Sequence, residues 1–420
     1  MFFLYQILII ILLIFSPLII FFRILKKKED KKRYKEKFCF PSKKRINGNL
    51  IWFHGSSVGE LLSILPLVQE LEKNKSINQI LVTTSTLSSA QIFKKFSFKK
   101  TIHQFFPIDS ILFSYKFLNY WKPTIAIFVE SEIWPSIFRA LNKKSIPLKL
   151  LNARITKKTF NKWRRVKKFS NSVFKNISIA YPQNEETLNY LKKLNVKKIK
   201  KIGNLKFFNN QQSKLTKLDN TFLKNINLKK IWCASSTHPG EEIICADVHI
   251  NLKKKYKNLL TIIIPRHIHR VNKIVNEIKS LDLNIVLHSS RPKKLNNTDI
   301  YLVDTYGETQ KFYHSSDIVF MGKSISGKGG QNPLEPTNLG STVLYGPNVD
   351  NFKDTYKLLN KLKVAYKVNG VKSLTQSIDK LITKPNNKKN YLKIAKMGKK
   401  ILNETKDEIN SLFNNEIKKT

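Results

Sequence analysis

The sequence predicts an α/β chain: two sheets wrapped by helices, in series, behind an apolar N-terminal helix. Three observations predict it. The length of 420 residues exceeds the ~150 residues of an ordinary domain. Short apolar runs alternate with stretches of helical period, stop, and start again. And Phe2 to Phe22 carries no charge.

That first segment, FFLYQILIIILLIFSPLIIFF, matches the roughly 20 apolar residues that span a bilayer core as a helix. A secretory signal would carry basic residues ahead of a shorter apolar stretch and a small-residue cleavage site behind it. Here the positive charge follows the segment, in Arg23, Lys26, Lys27, Lys28, Lys31, Lys32 and Arg33, and such an excess marks the cytoplasmic side. Residues 1–23 are therefore expected to anchor the chain in a membrane, with 24–47 as a basic linker and the body in the cytoplasm. Pro17 leaves a tilted or half-inserted helix open beside a full crossing.

The first domain is expected over 48–208, with strands at Leu50–His54, Ile80–Thr84, Ile125–Glu130, Leu148–Asn152 and Ile177–Tyr181 and a helix over Gly59–Lys73. Residues 209–229 are polar and without apolar periodicity, which reads as a connector. The pattern restarts over 230–383, with strands at Ile231–Ser235, Leu260–Pro265, Ile285–His288, Ile318–Met321 and Thr342–Tyr345. The tail, 384–420, is lysine-rich and helical in pattern, as a solvated helix would be.

Lys+Arg 76 against Asp+Glu 29 gives a formal charge of +47, which calls for an anionic partner, nucleic acid or a lipid surface. The anchor favours the lipid. General abundance of lysine, asparagine and isoleucine accounts for part of the charge. Cys39, Cys233 and Cys245 form no CxxC or zinc spacing, so neither a disulfide framework nor a metal site is indicated.

In open α/β sheets ligands gather beyond the carboxyl ends of strands. The first such loop is His54-Gly55-Ser56-Ser57-Val58-Gly59-Glu60. Its Gly55, Ser57 and Gly59 fit the G-x-S-x-G elbow of a serine hydrolase, but at the first strand of the body rather than deep in the sheet. The same loop lets a ligand approach the backbone, with Glu60 placed as a general base or merely capping the helix dipole. Val129-Glu130-Ser131-Glu132-Ile133-Trp134-Pro135 puts two carboxylates at the end of an apolar strand, costly unless paired, for example with Arg154, or used. Pro135 then opens a helix.

In the second half, Pro265-Arg266-His267 ends a strand with two possible cations for a phosphate. Gly322-Lys323-Ser324-Ile325-Ser326-Gly327-Lys328-Gly329-Gly330 invites a P-loop reading, which fails because Gly329 stands where magnesium needs Ser or Thr. Gln331-Asn332-Pro333-Leu334-Glu335 follows, so a glycine loop feeds a helix whose free N–H groups suit a phosphate, with Glu335 placed to accept from ribose hydroxyls. No D-x-D occurs, which argues against a metal-dependent sugar transferase.

WFHGSSVGE (52–60), VESEIWP (129–135), NARIT (152–156), GNLKF (203–207), ASSTHPGEE (234–242), IIPRH (263–267), DTYGE (304–308) and GKGGQNPLEP (327–336) together resemble, in order, the bacterial 3-deoxy-D-manno-octulosonic acid (Kdo) transferases of lipopolysaccharide assembly. The resemblance implies two Rossmann-like domains facing across a cleft, the GT-B arrangement. It implies inverting transfer of Kdo from CMP-Kdo to a hydroxyl of a lipid A precursor, without a metal or other cofactor. Glu60 would be the general base, with Glu130 and Glu132 also essential. Ser56, Ser57, Gly59, Asn152, Arg154 and Lys206 would meet the acceptor. Ser236, Thr237, Pro265, Arg266, His267, Met321, Gly322, Lys323, Gly329, Gly330, Asn332 and Glu335 would hold CMP. The sequence departs from the family pattern at Gln331, where many members carry His, and at Pro239 in the variable position of T-H-x-G-E. The first change puts a proton-transfer role at 331 in doubt more than nucleotide binding.

Two other classes stay in view. One is a different transferase of the same architecture that uses another nucleotide sugar. The other is a membrane-tethered nucleic-acid binder, which calls for aromatics interleaved with the basic runs. The lysine-rich tail offers few beyond Tyr391, so no nucleic-acid partner is expected.

Overall fold

The computed structural model describes residues 1–208, 218–292, 294–384 and 388–419. They form two compact units, Met1–Phe208 with Gly398–Thr420, and Asn209–Met397.

The first unit is built on six parallel strands: β1 Leu50–His54, β2 Gln79–Thr84, β3 Thr101–Phe105, β4 Ile125–Val129, β5 Leu148–Ala153 and β6 Ile177–Pro182, in the order β3-β2-β1-β4-β5-β6. Helices cover both faces, so β1, β2 and β4 are buried along their whole length, which is why they read as unbroken apolar runs. Trp52 centres this core, 4.7 Å from the Phe117 ring and 5.1 Å from that of Phe128. Strand order reverses between β1 and β4, the switch point at which a doubly wound sheet opens a crevice.

The second unit repeats the plan with β7 Lys230–Thr237, β8 Leu259–Pro265, β9 Ile285–Leu287, β10 Ile300–Leu302, β11 Ile318–Met321, β12 Thr342–Tyr345 and β13 Ala365–Lys367. Their order is β13-β12-β11-β7-β8-β10-β9, all parallel. The reversal falls between β7 and β11.

Three strands were not expected from the sequence: β3, β10 and β13. β3 and β13 are edge strands with polar residues in short runs, and β10 has only three residues. Of the expected connector, residues 209–217 lie outside the described residues. The rest contains a helix, Asn220–Asn227, that buries Phe222 and Ile226.

The tail is not a solvated helix. Helix Lys388–Ile417 buries Ile401, Leu402, Thr405, Ile409 and Phe413 in the first unit, a stripe at helical spacing. Glu408 accepts from the Tyr181 hydroxyl (2.8 Å) and pairs with Lys200 (2.5 Å). Gly398 is required for this approach, since a Cβ there would lie 2.3 Å from the Phe207 carbonyl oxygen.

The apolar helix runs Phe2–Leu25, with only Ser16 and Ile20 buried. Its first turns are tied to the body. Tyr5 donates to Asp109 (2.6 Å), Gln6 donates to the Ser136 hydroxyl (2.8 Å), and the Arg139 guanidinium lies 4.5 Å over the Phe2 ring. Asp109 in turn accepts the first amides of helix Pro135–Lys143, Ser136 N at 3.0 Å and Ile137 N at 2.9 Å.

Candidate active-site residues

In the first unit the switch point brings together the loops after β1 and β4. Ser57 is the N-cap of helix Val58–Leu71: its hydroxyl accepts from Glu60 N at 3.3 Å, while Glu60 Oε2 accepts from Ser57 N at 3.0 Å. This reciprocal capping box fixes where Glu60 stands. It also answers the hydrolase reading, because Ser57 has ordinary extended backbone, φ −100°, not the strained geometry of a nucleophile elbow. Gly55 is needed for space, as a Cβ there would lie 3.1 Å from Glu60 Cβ. Burial, then the charges of Glu132 and Glu130, push the Glu60 carboxyl up to about 7, against the pull of the Ser57 amide. A carboxylate so placed takes a proton near neutral pH.

Glu130 and Glu132 differ in what holds them. Glu130, φ +57°, is buried and pairs with Lys206 Nζ at 2.5 Å. Its backbone carbonyl accepts from Arg154 N at 3.2 Å. Asn152, also left-handed at φ +50°, accepts Leu205 N at 3.1 Å, which carries the Asn204–Phe207 turn, and with it Lys206, to Glu130. The ion-pair partner that the structure gives Glu130 is thus Lys206, with Arg154 joining through its backbone. Glu132 Oε2 accepts from His54 Nε2 (3.1 Å), Trp134 Nε1 (2.8 Å) and the Ser56 hydroxyl. Burial alone would raise its pKa, but these donors, His54 foremost, outweigh burial and hold it below the ordinary carboxylate value. Burial lowers the His54 pKa, against the raising pull of Glu132 and of the Thr83 backbone.

In the second unit the ends of β11, β7 and β8 are adjacent. Gly322 N donates to Ser235 O (2.8 Å) and Arg266 N to Thr237 O (3.1 Å), so Ser236, Arg266 and Lys323 come side by side. Gly322 permits the approach, since a Cβ there would sit 2.5 Å from the Ser236 carbonyl oxygen. Ser236 and Lys323 are left-handed, φ +57° and +59°, a conformation that costs non-glycine residues roughly 1–3 kcal/mol. Arg266 and His267 are exposed. The His267 ring lies 5.8 Å from that of His238 and 5.6 Å from that of His269. Partial desolvation, then His238, Arg266 and the neighbouring cations, lower the His267 pKa.

The glycine loop is built differently from the expectation. The amides of Lys323, Ser324 and Ile325 donate to the buried carboxylate of Glu241 at 2.7, 3.0 and 3.0 Å. The helix after the loop, Leu334–Asn338, is five residues long, and Asn332 Oδ1 accepts from Leu334 N at 3.2 Å. The helix expected there is a single turn, and the loop's first amides already have an anion. The side chains of Arg266, His267 and Lys323 stand at the same strand ends. Thr237 is buried and gives its hydroxyl to Glu242 (2.9 Å). Pro265, Met321, Gly329, Gly330 and Asn332 lie on the same strand ends and loop, while Glu335 is exposed.

Sequence reasoning missed His54, Glu241, Glu242 and Arg270. Arg270 donates to both oxygens of the fully buried Glu242, at 3.0 and 3.1 Å. The available signal was the adjacent acid pair in THPGEE, too polar for a helix start buried beneath a loop. Among the described residues no group of three or more His, Cys, Asp or Glu side chains could hold a metal.

The 3-Deoxy-D-manno-octulosonic-acid transferase (kdotransferase) family model matches residues 32–209. The 3-deoxy-D-manno-octulosonic acid transferase of Rickettsia bellii is 35% identical over 393 residues, 91% of this chain and 92% of that protein. The enzyme of the same name from Haemophilus influenzae is 29% identical, covering 86% of this chain and 85% of its own. Among solved structures, UDP-GlcNAc 2-epimerase from Neisseria meningitidis is 15% identical with TM-score 0.57, over 85% of this chain and 99% of that chain. At that identity the likeness is one of fold.

Proposed function

The chain belongs to the 3-deoxy-D-manno-octulosonic acid transferase family, glycosyltransferases of lipopolysaccharide biosynthesis, and from that premise we propose that it moves Kdo from CMP-Kdo to a hydroxyl of the lipid A precursor, lipid IVA, with inversion. Glu60 takes the acceptor's proton. The acceptor oxygen attacks the anomeric carbon of Kdo as the bond from that carbon to the phosphate oxygen breaks, and CMP leaves as a phosphate monoester. Arg266, with His267 and Lys323, offsets the charge that develops on the leaving phosphate, so that no metal is required. Glu130 with Lys206, and Glu132, stand beside the base.

The observation that carries this reading is Glu60 itself. It is fixed by the capping box and raised to about 7 by burial and two neighbouring acids. The chain is membrane-associated through its apolar N-terminal helix; we read the site as the inner membrane, with the body on the cytoplasmic face. The bonds of Tyr5 and Gln6 to the body support a helix that lies along the membrane surface over one that crosses it.

The test is mass spectrometry of the product from CMP-Kdo and lipid IVA, run against UDP-sugars as donors. We expect Kdo addition from CMP-Kdo alone, abolished in Glu60→Gln while CMP affinity survives. Full activity of that variant removes Glu60 from the base role, and transfer from a UDP-sugar instead overturns the substrate assignment.

A further inference from the structure

Two carboxylates flank the 54–60 loop, and the structure treats them oppositely. We propose that Glu132 is a positioning residue that carries no proton in the reaction: a fixed anion, bonded to β1 through His54, to the loop through Ser56 and to the next helix through Trp134, that holds Glu60 in place and keeps it basic. The proposal rests on the reading of Glu60 as the base.

The donors define the ionised form. Three of them converge on one oxygen, Glu132 Oε2, an arrangement that favours a carboxylate over a protonated acid. The His54 ring is set from behind. Trp52 Nε1, which can only donate, reaches Thr83 Oγ at 2.9 Å, and Thr83 Oγ lies 3.0 Å from His54 Nδ1. His54 Nδ1 also lies 3.2 Å from Thr83 O, and the Thr83 hydroxyl reaches Phe53 O at 3.2 Å, so β2 holds the imidazole with its Nε2 edge facing Glu132. Trp52, His54 and Thr83 are fully buried, so this network runs from the core to Glu132.

The coupling to Glu60 passes through adjacent residues. Ser56 gives its hydroxyl to Glu132, and Ser57 gives its amide to Glu60 at 3.0 Å. A Cβ on Gly55 would touch both Glu60 Cβ (3.1 Å) and Val129 Cβ (3.7 Å), so the helix start stands against the end of β4. The charged and titratable groups bearing on the pair are His54 from β1, Glu130 from the end of β4, and Lys206, which pairs with Glu130. Of the neighbouring charges, that of Glu132 does most to raise Glu60, as a neighbouring like charge disfavours ionisation. Glu60 thus becomes the proton acceptor because Glu132 is prevented from being one.

The test is the pH profile of transfer in the full-length enzyme. In Glu132→Gln the acid limb of kcat should move roughly one pH unit lower, with a several-fold lower plateau and an unchanged KM for CMP-Kdo. A merely structural contact would leave the limb in place. An unmoved limb overturns the proposal, and so does a folded variant inactive at every pH, as expected of Glu60→Gln. Should Glu132→Gln not fold, infrared titration of the wild type and Glu60→Gln answers the same question. A carboxylic-acid band titrating near pH 7, beside the Asp109 band near 6 that Asp109→Asn removes, should be present in the wild type and vanish in Glu60→Gln; its persistence there would show that Glu132 carries the proton. Activity in Glu60→Gln would remove the underlying base reading, whereas an inactive Glu60→Gln with an unmoved Glu132→Gln limb removes only the role of Glu132.

Discussion

Arg270→Ala should destabilise the second unit far more than an ordinary surface substitution. Glu242 is 0% exposed, and of its three hydrogen-bond donors two are the Arg270 nitrogens at 3.0 and 3.1 Å. Alanine leaves a buried carboxylate with the Thr237 hydroxyl alone, at 2.9 Å. Breaking one side of a buried pair costs about 3–5 kcal/mol. For a unit of roughly 150–250 residues each kcal/mol shifts Tm by about 2–4 °C, so the fall should be about 6–20 °C. Thermal unfolding followed by circular dichroism reads it directly. The double variant Arg270→Met, Glu242→Leu should recover most of the loss, because apolar replacement of both partners removes the unpaired charge. CMP affinity should fall with the single variant, since Thr237, bonded to Glu242, also accepts the Arg266 amide through its carbonyl. A Tm change under 2 °C, or a double variant no better than the single one, would refute the reasoning.

Phe413→Ala, in the tail helix and 0% exposed, should cost about 3–5 kcal/mol in denaturant unfolding of the first unit; a neutral result would return the tail to solvent. Arg266→Ala should weaken CMP by roughly 10- to 100-fold in calorimetry, the loss of a charge-assisted contact of about 1.5–3 kcal/mol, and an unchanged affinity would remove it from the phosphate site. A chain lacking residues 1–22 should keep transfer to detergent-dispersed acceptor and lose sedimentation with anionic vesicles, and loss of folding would contradict the tether reading. Burial raises the Asp109 carboxyl from 3.8 to about 6. The folded state therefore binds this proton more tightly than the unfolded one. Its contribution to stability is present below about pH 4 and lost as pH rises through about 6, which a comparison of stability curves for wild type and Asp109→Asn would show.

The sequence made the strand ends legible because central parallel strands must be apolar on both faces, and polar residues at their ends then stand out. The loops at Gly55–Glu60, Glu130–Trp134, Pro265–His267 and Met321–Gly330 all lie at carboxyl ends of strands. What stayed hidden was long-range. Nothing local links His54 to Glu132, 78 residues on, or Glu241 to the amides of 323–325, more than 80 residues on. The left-handed backbone at Glu130, Ser236 and Lys323 was equally invisible, since tertiary contacts impose it on residues with little preference for it. The tail misled for another reason. Its exposed lysines outnumber a buried stripe of five residues, and composition weighs every residue of a helix alike where packing weighs one face.

The same internal use of acids changes the meaning of the net charge. Among the described residues seven acids are buried, Glu29, Glu36, Asp109, Glu130, Glu241, Glu242 and Asp299, against one base, Lys149. They cap helices, hold loops or pair inward: Glu36 binds Arg33 (2.7 Å) and the Phe105 amide (2.7 Å), and Glu29 binds Arg23 (3.0 Å) and Lys37 (2.5 Å). Glu29, Glu36, Glu130, Glu242 and Asp299 each offset a lysine or arginine, and the excess of +47 is carried at the surface. The exposed lysines and arginines of helix Lys157–Arg165 carry this charge beside the anchor, where Phe169, just beyond that helix, lies 6.5 Å from the Phe2 ring. Such a basic face attracts anionic groups at the point where the apolar helix meets the body.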